Sequence, residues 1–117
     1  MRIRPFAFLA LTITSVAAAQ DAHVPESFRG IWASSSERCG TAHEGSLTIT
    51  ATQVDFYASR GKVMSVRVLG SRDIEVELES RGEGEVWINK RRFVLSEDGR
   101  RLTNVMNNHE LTRVRCG

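Results

Sequence analysis

At 117 residues, with 16 Lys+Arg against 14 Asp+Glu, the chain is long enough for one domain. Its formal net charge of +2 rests on Arg2 and Arg4 near the start. Without those two the balance is neutral, which removes the main electrostatic support for nucleic-acid binding or a polybasic membrane role.

The chain opens as an export signal. Arg2 and Arg4 form a basic lead. The run "FAFLALTITSVAAA" from Phe6 to Ala19 carries no charge, and Ala17-Ala18-Ala19 supplies small residues for a signal peptidase. This run is shorter than the ~20 residues that span a bilayer, and no cysteine precedes Cys39 to accept a lipid. The expectation is a cleaved signal peptide over residues 1–19 and a single domain over 20–117. No membrane span remains after cleavage, and the location is periplasmic or secreted.

After a polar lead-in, "HVPESF", come short alternating runs. "FRGIWA" (28–33) is the first strand, and a polar loop, "SSSERCGTAHEG", follows it. "SLTITA" (46–51) places Leu47, Ile49 and Ala51 on one face. "VDFYA" (54–58) points Val54, Phe56 and Ala58 inward, with a turn expected at Ser59–Gly61. "KVMSVRVL" (62–69) follows, with Met64, Val66 and Val68 inward, and then the turn "GSR". "DIEVELES" (73–80) alternates most cleanly, with Ile74, Val76 and Leu78 against Asp73, Glu75, Glu77 and Glu79. A Gly-rich turn leads to "VWINKRRFVL" (86–95). "SEDGR" is a strong hairpin signal. "RLTNVM" (101–106) and "HELTRVRC" (109–116) complete the series.

Eight strands with short links favour antiparallel neighbours. Such a meander hides its edges by closing into an up-and-down barrel, an all-β fold; a two-sheet sandwich is the alternative. No window keeps a helical period. Cys39 and Cys116, the only cysteines, lack a CxxC spacing and any zinc-ligand cluster. In an exported chain they read as a disulfide. It would tie the segment after the first strand to the last strand, as closure requires, and contribute about 4–5 kcal/mol on the chain-entropy account.

"VWINKRRFVL" breaks the alternation. Val86 and Ile88 share one phase, while Trp87, Phe93 and Leu95 share the other with Asn89 and Arg91. A bulge near Asn89 that switches the phase is the preferred reading. The other reading turns Trp87, Asn89 and Arg91 into the lumen as a polar ligand site.

Gly30-Ile31-Trp32 resembles the G-x-W signature of lipocalins and related calycin barrels. That resemblance implies a Trp closing one barrel end under an Arg of the last strand, here Arg113 or Arg115. The chain is much shorter than a typical lipocalin. "FRGIWA…ERCG", "LTITATQVDFYASRGKV", "GEGEVW", "LSEDGRRLT" and the terminal "RC" resemble a group of small exported bacterial proteins, which implies fold and compartment only. Tyr57-Ala58-Ser59-Arg60-Gly61 is similar to the Y-x-S/T-K-G loop of periplasmic lysozyme inhibitors. There a loop Ser and a basic residue enter the lysozyme cleft, roles that would fall here to Ser59 and to Arg60 or Lys62.

The acidic stripe on 73–79 spreads its carboxylates about 6.6 Å apart along a line rather than around a centre, so cross-strand ion pairing explains it better than calcium. His23, His43 and His109 show no metal-ligand spacing. "SSSE" has no nucleophile elbow, and "RGEGE" puts acids beside its glycines, where phosphate would be repelled. No catalytic residue, metal or cofactor is assigned. The expectation is a non-enzymatic binding module for a small ligand or for an envelope or secreted protein. A lysozyme-type inhibitor and a structural envelope protein are the alternatives.

Overall fold

The structure, a computed structural model, describes residues 22–117, so the expected signal peptide lies outside the described residues. Eight strands follow in order: β1 (Gly30–Ala33), β2 (Leu47–Ile49), β3 (Gln53–Phe56), β4 (Ser59–Gly70), β5 (Asp73–Gly82), β6 (Glu85–Leu95), β7 (Arg101–Val105) and β8 (Glu110–Cys116). Each pairs antiparallel with its sequence neighbour, and β1 pairs with β8 through Ile31↔Cys116, Trp32↔Arg115 and Ala33↔Val114. The sheet is a closed eight-stranded barrel, which excludes the sandwich.

The strict alternation of β5 sets the inside and the outside. Ile74, Val76 and Leu78 are fully buried with Trp32, Ile49, Val54, Phe93 and Leu102. On the outer face Arg92 grips Asp73 at 2.9 and 2.7 Å, Arg67 approaches Glu75 at 3.8 Å, and Lys62 stands opposite Glu79. Such exposed pairs contribute little stability each. They do penalise a slipped register, which would drive the same carboxylates into the core.

Three local expectations are corrected. The β3–β4 turn is Tyr57–Ala58, with Phe56 opposite Ser59, so Ser59, Arg60 and Gly61 already belong to β4 and Ala58 is exposed. Gly61 is there for space rather than for a turn: a Cβ would lie 2.8 Å from the Val54 carbonyl oxygen and 3.1 Å from Leu78. In β4 the ladder steps from Val63↔Leu78 to Ser65↔Glu77, a bulge that leaves Met64 outside at 45 % exposure and buries Val63 and Val66. Val68, opposite Ile74, remains 50 % exposed. Finally, β6 has no bulge. Its ladder with β5 runs unbroken from Asp73↔Val94 to Gly82↔Glu85.

One end of the barrel is sealed. The lead-in folds under it as a 3-10 turn, Glu26–Phe28, burying Val24 and Phe28, while the Val24 amide donates to the Ala51 carbonyl at 2.8 Å. The Trp32 indole donates to the Phe28 carbonyl at 3.1 Å, and the Arg115 guanidinium stacks 4.2 Å from the indole ring. Arg115 also donates to the carbonyls of Gly99 (2.9 Å), Arg29 (2.7 Å) and Ser27 (2.7 Å). Gly30 is required beside it: its φ is +141°, and a Cβ would meet the Arg115 Nη1 at 2.8 Å.

Cys39 and Cys116 form a disulfide across 77 positions. It fastens the β1–β2 loop to the end of β8, beside the β1–β8 seam.

Trp32→Ala removes the ring on which this seal is built. Urea unfolding should show a loss of about 3–5 kcal/mol. A midpoint unchanged from wild type would contradict the packing described.

Candidate functional site: the polar end of the barrel interior

Directly opposed residues of an antiparallel pair share a face, so the unbroken β5–β6 ladder decides which β6 side chains turn inward. Ile74, Val76, Leu78 and Ser80 oppose Phe93, Arg91, Asn89 and Trp87. The inward phase of β6 is therefore Trp87, Asn89, Arg91, Phe93 and Leu95. Toward the sealed end it is apolar. Toward the other end, ringed by the β1–β2, β3–β4, β5–β6 and β7–β8 connections, it is polar.

Neighbouring strands repeat the pattern. In β5 the inward series ends in Ser80, which is buried and donates to Asn89 Oδ1 at 2.7 Å. In β7 Leu102 is followed inward by the buried Asn104, and in β8 Arg113 stands opposite Leu102. Arg113 is 4 % exposed. Its Nε donates to the Gly45 carbonyl at 2.8 Å, which pins the β1–β2 loop over this end.

Arg91 and Arg113 converge on the ring of Phe56, at 5.1 and 5.7 Å from its centroid. Phe56 is itself packed against the core cluster. Burial, and then the positive charge of Arg91, hold the Arg113 guanidinium below its ordinary pKa. Among the described residues neither arginine forms an ion pair. Arg91 Nε, Arg113 Nη1 and Asn104 Oδ1 are buried without a hydrogen-bond partner. Asp55 Oδ1 is also buried and unpartnered, but Asp55 sits between the inward Val54 and Phe56 and so belongs to the outer face. An unsatisfied buried polar group costs about 1–3 kcal/mol, and more when charged. The polar end therefore concentrates a cost that the apolar end avoids.

Besides a cleft of about 470 Å³ along the β3–β4 turn, lined by Phe56, Ser59, Arg60 and Arg81, two clefts approach this end. The larger, about 750 Å³, lies on the rim between Ser34, Arg38, His43, Gly45, Tyr57 and Leu111. The smaller, about 380 Å³, is lined by Lys90, Arg91, Met106 and His109. The smaller is the more informative because Arg91, one of the three residues with an unpartnered atom, lines it.

The residues singled out by sequence fall into three places. Gly30, Trp32 and Arg115 meet at the sealed end. Arg113 does not join them: two residues apart on one strand face, Arg113 and Arg115 are separated by about 6.6 Å, and Arg115 is the one opposite Trp32. Trp87, Asn89 and Arg91 share the inward phase but not one contact cluster. Trp87, 38 % exposed, lies by Gly82, where a Cβ would come within 3.3 Å of its ring. The segment Tyr57, Ser59, Arg60 and Lys62 is no projecting loop of basic side chains. Tyr57 alone is at the turn tip, Ser59 is half-buried, and Arg60 and Lys62 stand on β4 opposite Arg81 and Glu79.

Phe56, Ser80, Asn104 and Arg113 complete the polar end and are not linked to it by sequence. The signal was present for Phe56, Ser80 and Asn104, each of which continues an inward alternation begun by buried apolar residues; Arg113 shares its phase with the exposed Leu111 and with Arg115, so β8 carries no such signal. Among the described residues no group of three or more His, Cys, Asp or Glu is gathered as for a metal ion. His43 is committed locally, with the Ser34 amide donating to its Nε2 at 3.3 Å and Nδ1 3.0 Å from the Thr41 carbonyl. Comparison with protein-family models, with curated proteins and with solved structures finds no match for this chain.

Replacing Arg91 with Met keeps the stem and removes an unpartnered buried donor. The loss of the ring contact, ~0.5–2 kcal/mol, and the relief of a buried polar atom, about 1–3 kcal/mol, are similar in size. Arg91→Met should therefore leave the urea midpoint equal to wild type or above it. A loss of more than about 2 kcal/mol, beyond the whole ring contact, would mean that Arg91 serves folding.

Proposed function

We propose that this chain is a non-enzymatic binding module that takes a small ligand at the polar end of its barrel. The observation that carries this reading is the set of buried, unpartnered polar atoms on Arg91, Arg113 and Asn104, of which Arg91 also lines a cleft open to solvent. Groups kept at a cost to stability mark sites that serve something other than folding. Ligand sites in barrels favour the barrel mouth, with a few convergent polar groups set in apolar walls. The disulfide supports an exported, oxidising location, in line with the leader read from the sequence.

A second reading, a protein inhibitor acting through the β3–β4 turn, draws support from one feature. Tyr57 is 57 % exposed at the tip, and Arg60 directly opposes Arg81 on the strands behind it. Arg60 faces Asp55 on its other side and Arg81 reaches Glu79 at 3.2 Å, so the exposed aromatic tip, rather than unbalanced charge, is what a partner would meet.

A thermal-unfolding screen with small molecules of positive, neutral and negative charge tests the first reading. A ligand present at a hundredfold excess over its Kd adds about 2.7 kcal/mol, a shift of roughly 10 °C for a chain of this size. Absence of any shift across all three charge classes would contradict a small-molecule site. If the same protein in excess then slowed a lysozyme, the inhibitor reading would replace it.

A further inference from the structure

We infer that the ligand is a small oxyanion, a carboxylate or a phosphate, whose charged group is held between the guanidiniums of Arg91 and Arg113 above Phe56. This deepens the binding-module reading and rests on it. Both guanidiniums lie over one ring, at 5.1 and 5.7 Å from its centroid, so two like charges share one small space. Neither has an acidic partner among the described residues. The carboxylate beside Phe56 in the chain, Asp55, is turned to the outer face by the alternation of β3.

The two charged side chains with an unpartnered atom at this end both present a donor, Arg91 Nε and Arg113 Nη1; the unpartnered Asp55 Oδ1 lies on the outer face. A guanidinium resting on an aromatic face keeps its N–H edge free, and that edge matches the paired oxygens of a carboxylate or phosphate. Asn104 carries the third unpartnered atom, and its amide, turned either way, can meet an oxygen or a hydroxyl of the same ligand. A cation would be repelled by the pair. A neutral ligand would leave two positive charges buried and uncompensated.

Access has the same sign. The cleft that reaches Arg91 also carries Lys90, and no carboxylate lines it. At about 380 Å³ it suits a compact ligand. The pKa of Arg113 is held down by burial and by Arg91, the perturbation that a bound anion between them would reverse.

The test compares matched probes on the intact protein at low ionic strength: benzoate and inorganic phosphate as oxyanions, benzamide as the neutral counterpart and benzylamine as the cation. Calorimetric titration and thermal unfolding are read together. At least one of the two oxyanions should bind and raise the unfolding midpoint, more weakly as salt is added, and the neutral and cationic probes should not. Arg91→Met should weaken that binding at least tenfold, and Arg91→Lys should weaken it less. Arg113→Met should do the same where it folds; the Arg91 variants carry the test where it does not. Stabilisation by benzamide equal to that by benzoate would overturn the oxyanion assignment while leaving a small-molecule site standing. No response to any of the four probes overturns the assignment as well, and the wider screen then decides whether the binding-module reading survives. Binding unchanged in Arg91→Met also overturns it.

Discussion

The Arg115 side chain is the point on which the barrel closes. Its guanidinium lies over the Trp32 ring and donates to three carbonyls, one from the β6–β7 turn and two from the N-terminal lead-in. A delocalised, permanently charged fork can serve a ring face and several carbonyls together, which a lysine ammonium cannot match. One residue of the last strand therefore joins the first strand, the preceding turn and the segment that plugs the end. The disulfide at the adjacent Cys116 holds the same seam covalently. Gly30 follows from this arrangement, because any side chain there would compete with Arg115 for space.

Sealing one end sets the character of the other. The apolar residues of a small barrel suffice to fill the sealed half, where Trp32, Phe93, Leu95, Leu102 and Ile49 are all buried. The remaining inward positions are Ser80, Asn89, Arg91, Asn104 and Arg113, around the half-buried Phe56. A sequence under pressure only to fold would fill those positions with more leucine and valine. Two arginines on one ring without a carboxylate are a local conflict with folding. Such conflicts are expected where a protein binds something.

Much of the fold is readable from residue order alone. The alternation in 73–80 and the short turns define an antiparallel meander, and the two cysteines locate its seam. The misread strands β4 and β6 share one cause: periodicity shows which residues share a face, but not where a ladder skips a residue. Met64 fits a clean alternation with Val66 and Val68, yet the bulge places it outside. The run through Asn89 and Arg91 looks like a broken alternation because buried strands are expected to be apolar, yet its ladder is unbroken. Gly61 resembles a turn glycine until the Val54 carbonyl and Leu78 are seen against it. The convergence of Arg91 with Arg113 joins β6 to β8 through a ring on β3, a relation that spacing along one chain does not carry.

The division of the interior into a sealed half and a polar half, and the oxyanion proposed for the polar half, are tested most directly by the arginine side chains themselves. Nitrogen-15 spectra at low temperature can follow the Nε–H signals of Arg91, Arg113 and Arg115 in the free protein and on addition of phosphate and of benzoate. Arg113 and Arg115 donate to the carbonyls of Gly45 and Gly99, so their signals should be protected from exchange throughout. The Arg91 Nε–H, buried but without an acceptor in the free protein, should exchange faster than those two at first, then shift and become protected as an oxyanion binds, with Arg115 unmoved. Equal protection of all three in the free protein, or a response at Arg115 with none at Arg91, would contradict the account.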